Sequence, residues 1–330
     1  MKIAIIGAGN MGGAIACGLA ASGEYKAGEI VCSNPSCGKL EALKSRYEII
    51  ATTTDNILAA EGADMVIVAV KPWLAEGVVK QIVGTFNSPQ KMLVSVVADT
   101  SFATLCDWVS QSECQPAIFR VIPNTAISVG ESMTFVSADG ATQKQTDAVM
   151  GIFNKMGEAM LVDEKMLEVG MILASCGIAF ALRYIRAAAE GGVELGCPAA
   201  QAAHIVAATM KGAAELLLQN NSHPEQEIDK VTTAGGITIK GLNEMEHAGF
   251  SSSVIRGLKA SAGKKYPYIK RCPFWTPFVI FGLYIPVCFL LCNQLIGRLP
   301  PLMTRRCGAR RGDDRGHADY IKVTRATAPR

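Results

Sequence analysis

The sequence opens with a short apolar stretch that leads directly into a glycine-rich loop. Residues 1–6 read MKIAII, residues 7–12 read GAGNMG, and the apolar residues Ile15 and Leu19 follow at helical spacing. A strand, a tight glycine turn and the start of a helix in this order let the backbone approach a pyrophosphate, whose charge the free N–H groups and the helix dipole stabilise. The pattern predicts a Rossmann-type domain, a doubly wound parallel sheet of the α/β class that binds a dinucleotide.

Three further apolar stretches are expected to be strands of the same sheet. Residues 65–70 are continuously apolar, which is typical of parallel strands covered on both faces, and residues 92–97 and 117–122 are similar. Ligands of such sheets bind beyond the carboxyl ends of the strands, so Lys71 is expected to line the cofactor and Asn124 to bond the nicotinamide amide. From the residues alone, Lys71 is equally consistent with a surface charge and Asn124 with an ordinary turn residue.

The end of the second strand indicates which dinucleotide is bound. An NAD site usually carries an acidic residue there, which bonds the ribose 2′-hydroxyl. Here residues 29–32 are followed by Ser33 and Asn34, which are neutral and can bond a 2′-phosphate without repelling it. Lys39 lies close by, but a solvated helix residue is an equally simple interpretation of it. The sequence therefore favours NADP(H), with NADH as the alternative.

A second glycine motif lies in the last third of the chain. Residues 231–246 read VTTAGGITIKGLNEME, and Gly235 and Gly236 let the backbone turn without a Cβ penalty. The free N–H groups of a helix that starts at Ile237 would point at a carboxylate or a phosphate, and neighbouring threonines add hydroxyl groups. The motif predicts an anion site; the alternative is a glycine-broken helix start without a ligand.

From about residue 163 onward the apolar spacing is helical. Residues 179–189 suit a long buried helix, and residues 199–218 suit a second helix that is rich in alanine. The amount of apolar helix surface predicts the core of a dimer. An all-α dimerisation domain is therefore expected to follow the sheet.

Four motifs together resemble the Δ1-pyrroline-5-carboxylate reductase family over about residues 1–262. They are GAGNMG at 7–12, AVKP at 69–72, RVIPNT at 120–125 and VTTAGGITIKG at 231–241. The first motif is shared by many dehydrogenases, whereas the last is the specific one. The resemblance implies that NADPH reduces 1-pyrroline-5-carboxylate to L-proline, the last step of proline biosynthesis. It also implies a homo-oligomer that is at least a dimer. The length and composition of about the first 260 residues predict a cytoplasmic enzyme.

The matching residues receive roles from this resemblance and from the strand ends. The cofactor-binding residues are expected to be Gly7, Gly9, Asn10, Met11, Gly12, Ser33, Asn34, Asn56, Ala69, Lys71, Pro72 and Asn124. The substrate carboxylate is expected to bind Thr233, Gly235, Gly236, Ile237 and Thr238. Thr238 is the implied catalytic residue, whose hydroxyl would hydrogen-bond the ring nitrogen. In the family the Gly235 loop of one subunit faces the cofactor of its neighbour, so isolated monomers should be inactive.

Three segments depart from the usual pattern of the family. Ala234 stands where proline commonly precedes the two glycines, Asp99 follows Ala98 where glycine is common, and residues 174–178 replace a Ser-Gly-Ser-Gly-Pro-like turn. None of these changes removes a group that the reaction needs. They bear on loop geometry, and an Asp99 side chain facing the pocket would disfavour an anion.

The cysteines and histidines predict neither disulfides nor a metal site. Cysteines at positions 17, 32, 37, 106, 114, 176 and 197 show no C-x-x-C spacing, and histidines at positions 204, 223, 247 and 317 are scattered. The thiols are expected to be reduced and mostly in the core. No metal and no nucleic-acid partner is predicted.

The composition changes abruptly beyond residue 263. Residues 1–263 carry 19 Lys and Arg against 26 Asp and Glu, whereas residues 264–330 carry 13 against 3. Within this basic tail, residues 275–296 are mostly apolar and uncharged over a length that could span a bilayer, although Pro277, Pro286 and Asn293 count against a span. Three interpretations stay open: an out-of-frame or readthrough tail without function, a membrane anchor, and an extension that packs on the body. The predicted domains are 1–162, which binds NADP, 163–263, which dimerises and binds the substrate, and the tail.

Two other functions fit parts of the sequence. A related imine or β-hydroxyacid reductase would share the first domain, although it does not predict the Gly235-Gly236 loop. A non-catalytic, membrane-attached paralogue is supported only by the tail. We keep both as alternatives at this point.

Overall fold

In the computed structural model, which describes residues 1–262, the first part of the chain forms one sheet in the order β3-β2-β1-β4-β5-β6-β7-β8. The strands are β1 (Ile3–Ile6), β2 (Ile30–Ser33), β3 (Ile50–Thr53), β4 (Met65–Val68), β5 (Met92–Ser95), β6 (Ala117–Ile122), β7 (Ser132–Asp139) and β8 (Gly157–Leu161). Neighbouring strands are parallel except for β6 and β7. The tail over 264–330 and its apolar segment over 275–296 lie outside the described residues.

Helices cover both faces of the sheet. They are α1 (Asn10–Ala21), α2 (Cys37–Arg46), α3 (Asn56–Glu61), α4 (Pro72–Ile82), α5 (Phe102–Trp108) and α6 (Gln143–Asn154). Because successive side chains of a strand point to opposite faces, Ile3 and Ile5 of β1 join the core beneath α1, α2 and α6. Ala4 and Ile6 join the core beneath α3, α4 and α5. The predicted doubly wound parallel sheet is confirmed.

Some strands differ from the expectation, and the reasons are local. The stretches over 65–70 and 92–97 end as strands at Val68 and Ser95. Strands β3, β7 and β8 do not follow from a search for apolar runs. In β7, the buried Ser132 and Thr134 hydroxyl groups bond each other at 2.9 Å, so polar residues are tolerated where an apolar pattern is expected.

The rest of the described chain is helical. It comprises α7 (Glu164–Gly170), a π-helical segment (Met171–Cys176), α8 (Gly177–Glu194), α9 (Ala199–Asn220), α10 (Pro224–Val231), α11 (Ile237–His247) and α12 (Phe250–Ala262). The predicted boundary at 162/163 falls between β8 and α7. Backbone contacts nevertheless group the described residues as one compact unit, so the division into two domains stays a prediction.

The helical part buries little of its apolar surface within one chain. Ala189 is the buried residue of α8, and Ala202 is that of α9, whereas Phe180, Leu182 and Ile205 are exposed. The expectation of a buried helix over 179–189 is therefore wrong for the single chain. An exposed apolar surface of this kind marks an interface, in keeping with the predicted dimer core.

A membrane-spanning length occurs in one helix of the described residues. The helix over Glu164–Glu194 contains 31 residues and has a mean hydropathy of 1.7 in its most apolar window, of which 11% is buried. By length and composition it is able to cross a bilayer.

The thiols are free, but most of them are not in the core. The described cysteines form no disulfide, and only Cys32 is fully buried, while Cys37 is exposed. Burial raises the pKa of the Cys32 thiol to about 12, which keeps it protonated at neutral pH. The expectation of mostly core thiols is thus wrong, because five of the seven lie at partly exposed helix or loop positions.

Candidate active site

The glycine loop after β1 is predicted to bind a pyrophosphate, and its three glycines differ in what surrounds them. Gly7 has φ 105°, and a Cβ there would lie 2.7 Å from the Ala69 carbonyl oxygen. A Cβ at Gly12 would lie 1.9 Å from the Gly7 carbonyl oxygen. Gly12 therefore lets the first turn of α1 pack closely against the loop. Gly9 has nothing within 4 Å of its ideal Cβ position. The open side of the loop is therefore at Gly9, where a ligand can approach the backbone.

The start of α1 leaves donors free beside this open side. Gly9 is its N-cap residue, Asn10 and Met11 form the first turn, and no side chain caps the helix. The first turn also carries no acidic residue. Free N–H groups and the positive end of the helix dipole together suit an anion. The dinucleotide site predicted at this loop stays a prediction, which the uncapped helix start supports.

Ser33 and Asn34 are at the predicted strand end, but their side chains are engaged inside the protein. Ser33 is 0% exposed and donates to Asn56 Oδ1 at 2.6 Å. Asn34 is 8% exposed, and its Oδ1 accepts from the Ala8 N–H at 3.1 Å. The Asn34 side chain thus holds the glycine loop, whereas the Ser33 side chain joins the end of β2 to the start of α3. The Ser33 hydroxyl could donate to a 2′-phosphate only by leaving Asn56. The Asn34 amide nitrogen donates one bond, to the Ser36 carbonyl oxygen at 3.3 Å, and has a second N–H. The predicted bonds of both residues to the 2′-phosphate stay a prediction.

The exposed groups at this corner belong to the next residues. Ser36 is the N-cap residue of α2 and is exposed, its hydroxyl caps no backbone N–H, and Cys37 begins the helix. Lys39 is also exposed. An uncapped helix start with a hydroxyl and a lysine is suited to a phosphate.

Asn56, Ala69, Lys71 and Pro72 surround the same edge of the sheet. Asn56 is the first residue of α3, accepts from Ser33 and donates to Gln81 Oε1 at 2.8 Å. Ala69 packs on Gly7, and its N–H donates to the Ile6 carbonyl oxygen at 2.8 Å. Pro72 is at the first position of α4, where it needs no N–H partner, and Lys71 is the exposed N-cap residue. The residues around Gln81 gave no sign that its side chain accepts this bond from Asn56.

Asn124 serves the turn after β6. It is 5% exposed, its Oδ1 accepts from the Ala126 N–H at 2.9 Å, and its own N–H donates to Ser132 Oγ at 3.2 Å. This is the role of an ordinary turn asparagine. Its proposed bond to the nicotinamide amide stays a prediction without direct support.

The second glycine motif forms a turn followed by an uncapped helix. The Gly236 N–H donates to the Thr233 carbonyl oxygen at 2.9 Å, and Gly235 has φ 72°, which is the pattern of a type II turn. Gly236 is the N-cap residue of α11 without a side-chain cap, and Ile237 begins the helix as predicted. Ile237 and Thr238 are both exposed. The motif therefore presents free N–H groups and a hydroxyl on its surface.

The three segments that depart from the family pattern differ in how their backbone accommodates the change. Asp99 has φ 60°, the left-handed region that favours glycine and that Asp adopts at a small cost. Ala234 occupies the second position of the turn, where proline would fix φ but alanine is allowed. Residues 174–178 form no turn, because the chain there continues from the π-helical segment into α8.

The two glycine motifs belong to different parts of the chain. The first is built by β1, β4 and α1, whereas the second joins α10, which packs on α9, to α11, which packs on α12. The structure thus places the predicted cofactor residues at one edge of the sheet. Among residues 1–262, no hydrogen bond joins Thr233–Thr238 to them.

Comparison with known proteins gives the family. Residues 164–266 match the family model described as pyrroline-5-carboxylate reductase dimerisation, and residues 2–99 match the model described as NADP oxidoreductase, coenzyme F420-dependent. Pyrroline-5-carboxylate reductase 2 of Dictyostelium discoideum is 38% identical over 280 residues, covering 80% of this chain and 91% of the relative. The chain belongs to the pyrroline-5-carboxylate reductase family.

Other members of the pyrroline-5-carboxylate reductase family agree with this assignment. Pyrroline-5-carboxylate reductase 1 of Dictyostelium discoideum is 41% identical over 275 residues, although the match covers 79% of this chain and only about half (49%) of that relative. A Plasmodium falciparum pyrroline carboxylate reductase solved with NADP bound has a TM-score of 0.70 and 25% identity, covering 79% of this chain and 95% of that one. The Coxiella burnetii enzyme has a TM-score of 0.72 and 27% identity, covering 79% and 96%.

Proposed function

We infer that the protein reduces 1-pyrroline-5-carboxylate to L-proline with a nicotinamide dinucleotide, NADPH being favoured. The observation that carries this function is the joint occurrence of the open glycine loop at Gly9 and the uncapped turn at Gly235 and Gly236 in a member of this family. A related imine or β-hydroxyacid reductase has no need of the second motif. The family comparison also favours the reductase over a non-catalytic membrane-attached paralogue.

The residues of the chain have a modest task in this reaction. The bound cofactor supplies the hydride that reduces the imine carbon. The backbone N–H groups from Gly235 to Thr238 bind the substrate carboxylate, and the Thr238 hydroxyl bonds the ring nitrogen. A protonated imine is already electrophilic, so holding the two reactants in the correct orientation provides most of the rate.

The function is tested with three substrates by following the concentration of NADPH, which reduction of an imine consumes and which oxidation of a β-hydroxyacid by NADP forms. The full chain should oxidise NADPH with 1-pyrroline-5-carboxylate and should rescue a proline auxotroph. It should act poorly on a cyclic imine without a carboxylate and on a β-hydroxyacid with NADP. Equal rates with the imine that lacks the carboxylate would favour the imine reductase instead.

The protein is a homo-oligomer, and we propose that the active site is completed between subunits. The exposed apolar faces of α8 and α9 support association through the helical part. The Gly235 loop of one subunit then faces the cofactor of its neighbour, which brings Thr238 to the nicotinamide. The cytoplasm is the proposed location.

We expect the 2′-phosphate subsite to involve Ser36 rather than the buried Ser33 side chain. Ser36→Asp should weaken NADPH binding by about 1–2 kcal/mol, roughly 5- to 30-fold in Kd, because the new carboxylate repels the phosphate. Aspartate is a favourable N-cap residue, so α2 should not be weakened. The measurement is the Kd of NADPH and of NADH by fluorescence titration.

Ser36→Asn is the matched control for this prediction. It keeps a capping side chain without a charge, so both dinucleotides should bind nearly as in the wild type. An aspartate variant with wild-type NADPH affinity would move the 2′-phosphate to another position. Ser33→Asp is a poorer test, because it buries a carboxylate among residues that shape the glycine loop.

Deletion of the tail after Gly263 should give an enzyme at least as active as the full chain. All groups assigned to cofactor and substrate lie within residues 1–262, and the apolar segment over 275–296 favours aggregation or membrane insertion when it is exposed. Specific activity and the fraction in the membrane pellet are measured for both forms. An inactive truncated protein that recovers only when 275–296 is restored in detergent or lipid would support the membrane anchor.

A further inference from the structure

The carboxylate of Glu164, the first residue of α7, is shared between two donors from the sheet part of the chain. Its Oε1 atom accepts from the Arg120 guanidinium at 2.6 Å and from the Phe102 backbone N–H at 2.9 Å. Arg120 is on β6 with its side chain only 11% exposed, and its guanidinium lies 5.9 Å from the centre of the Phe102 ring. Glu164 therefore joins the start of α7 to β6 and to the start of α5.

The same helix meets the sheet at two further points. A Cβ at Gly170 would lie 2.6 Å from the Phe135 ring, so the end of α7 packs its backbone directly on β7. In the π-helical segment, the Ser175 hydroxyl donates to the Pro123 carbonyl oxygen at 3.3 Å. We refer to these three contacts, made by Glu164, Gly170 and Ser175, as the helix clamp.

The helix clamp reaches the edge of the sheet where the cofactor binds. Pro123 directly follows β6, which is parallel to β5, so its carbonyl lies at the carboxyl ends of the strands. The clamped stretch continues without a break into α8, since the helix runs over Glu164–Glu194. A tilt of α7 at Glu164 would therefore also tilt α8, which continues the same helix beyond Ser175. π-Helical segments of this kind are frequent at functional sites.

We propose that Glu164 is a positioning residue for the reduction, because the helix clamp orients the helical part against the strand ends that bind the cofactor. This inference rests on the proposed function. Its carboxylate accepts from Arg120 and the Phe102 N–H, so its role in this proposal is to hold α7 and not to bind a reactant. Its loss should misplace the substrate relative to the nicotinamide while leaving the glycine loop intact, since that loop is built by β1, β4 and α1.

The test compares Glu164→Ala with Glu164→Gln and Glu168→Ala. Glu168 is one turn further along α7, and its side chain has no ion pair or hydrogen bond among the described residues, so its loss controls for a missing charge on this helix. In the alanine variant of Glu164, kcat should fall by about 10- to 100-fold, which is the expected result of a misplacement near 1 Å. The Kd of NADPH should change by less than about 3-fold, because the glycine loop is untouched.

Two readouts separate positioning from simple loss of stability. With NADPH deuterated at the transferred position, the isotope effect on kcat should rise in Glu164→Ala, because poor alignment makes hydride transfer rate-limiting. Glu164→Gln keeps an oxygen that accepts both hydrogen bonds and should recover most of the rate. Hydrogen exchange of residues 164–176 and of the Phe102 amide should be faster in the alanine variant and unchanged in Glu168→Ala.

The outcomes are decisive for the helix clamp. A fall in kcat with an unchanged isotope effect, or an equal fall in Glu168→Ala, overturns the proposal. If Glu164→Ala does not fold, Ser175→Ala is used instead, because it removes the contact with Pro123. This variant should raise the isotope effect on kcat with a smaller loss of rate. An unchanged isotope effect in Ser175→Ala overturns the proposal. If the wild type does not reduce 1-pyrroline-5-carboxylate, the proposed function fails, whereas the hydrogen-exchange result still reports on the contacts of Glu164.

Discussion

Gly9→Ala should yield a folded protein that binds NADPH poorly. The protein offers nothing within 4 Å of the added methyl group, and Gly9 has φ −78°, which alanine adopts without strain. The methyl group would instead occupy the space in which the pyrophosphate approaches the backbone. Overpacking of this kind costs about 1–3 kcal/mol, roughly 5- to 150-fold in Kd. The thermal midpoint without cofactor should stay near that of the wild type.

Two neighbouring glycines provide matched controls for this prediction. At Gly13 an added Cβ would meet Leu43 at 3.8 Å, an ordinary contact, so Gly13→Ala should bind NADPH normally and gain slightly in helix stability. At Gly12 the Cβ would lie 1.9 Å from the Gly7 carbonyl oxygen, so Gly12→Ala should lose both stability and binding. Unchanged NADPH affinity in Gly9→Ala would mean that the pyrophosphate does not approach the loop at this position.

Thr238→Ala should lower turnover far more than cofactor affinity. The variant removes the exposed hydroxyl at the second position of α11 but keeps the backbone N–H groups of Ile237 and its neighbours. Loss of one preorganised hydrogen-bond partner of the reacting group costs on the order of 10²-fold in kcat. Steady-state kinetics with 1-pyrroline-5-carboxylate and a separate titration with NADPH distinguish the two effects.

Thr238→Ser is the control, because serine keeps the hydroxyl and should retain most of the turnover. An unchanged kcat in Thr238→Ala would remove the role given to this hydroxyl. The role of the loop backbone in binding the carboxylate would then be tested separately through KM. A rise in KM without a change in kcat would assign Thr238 to ground-state binding alone.

The predicted fold succeeded where the sequence signal was continuous and local. The strand over Ala117–Ile122 has the bounds that its apolar run indicated, and α1 and α11 begin directly after their glycines. The signal failed where polar residues occupy buried positions of a strand. In β7, Ser132 and Thr134 are two residues apart and their buried hydroxyl groups bond each other, so no apolar run marks this strand. The helices over 179–189 and 199–218 formed as expected, but the single chain leaves most of their apolar side chains exposed.

The sequence by itself determined the chemistry of this protein. Gly7, Gly9 and Gly12 after an apolar strand specify a dinucleotide loop because the backbone conformation and the close approach exclude side chains there. Gly235 likewise specifies the turn before α11. These constraints act within a few residues, so they can be recognised from the order of residues alone.

Only the tertiary structure decided which side chains face a ligand. Asn34 and Ser33 had the residue types expected for a phosphate site, yet they turn inward to Ala8 and Asn56 because those partners, distant along the chain, are brought beside them by the parallel strands. The contact between Glu164 and Arg120 arises in the same way across 44 positions. A hydrogen bond is specified by distance and direction in space, which the spacing of residues along the chain does not contain.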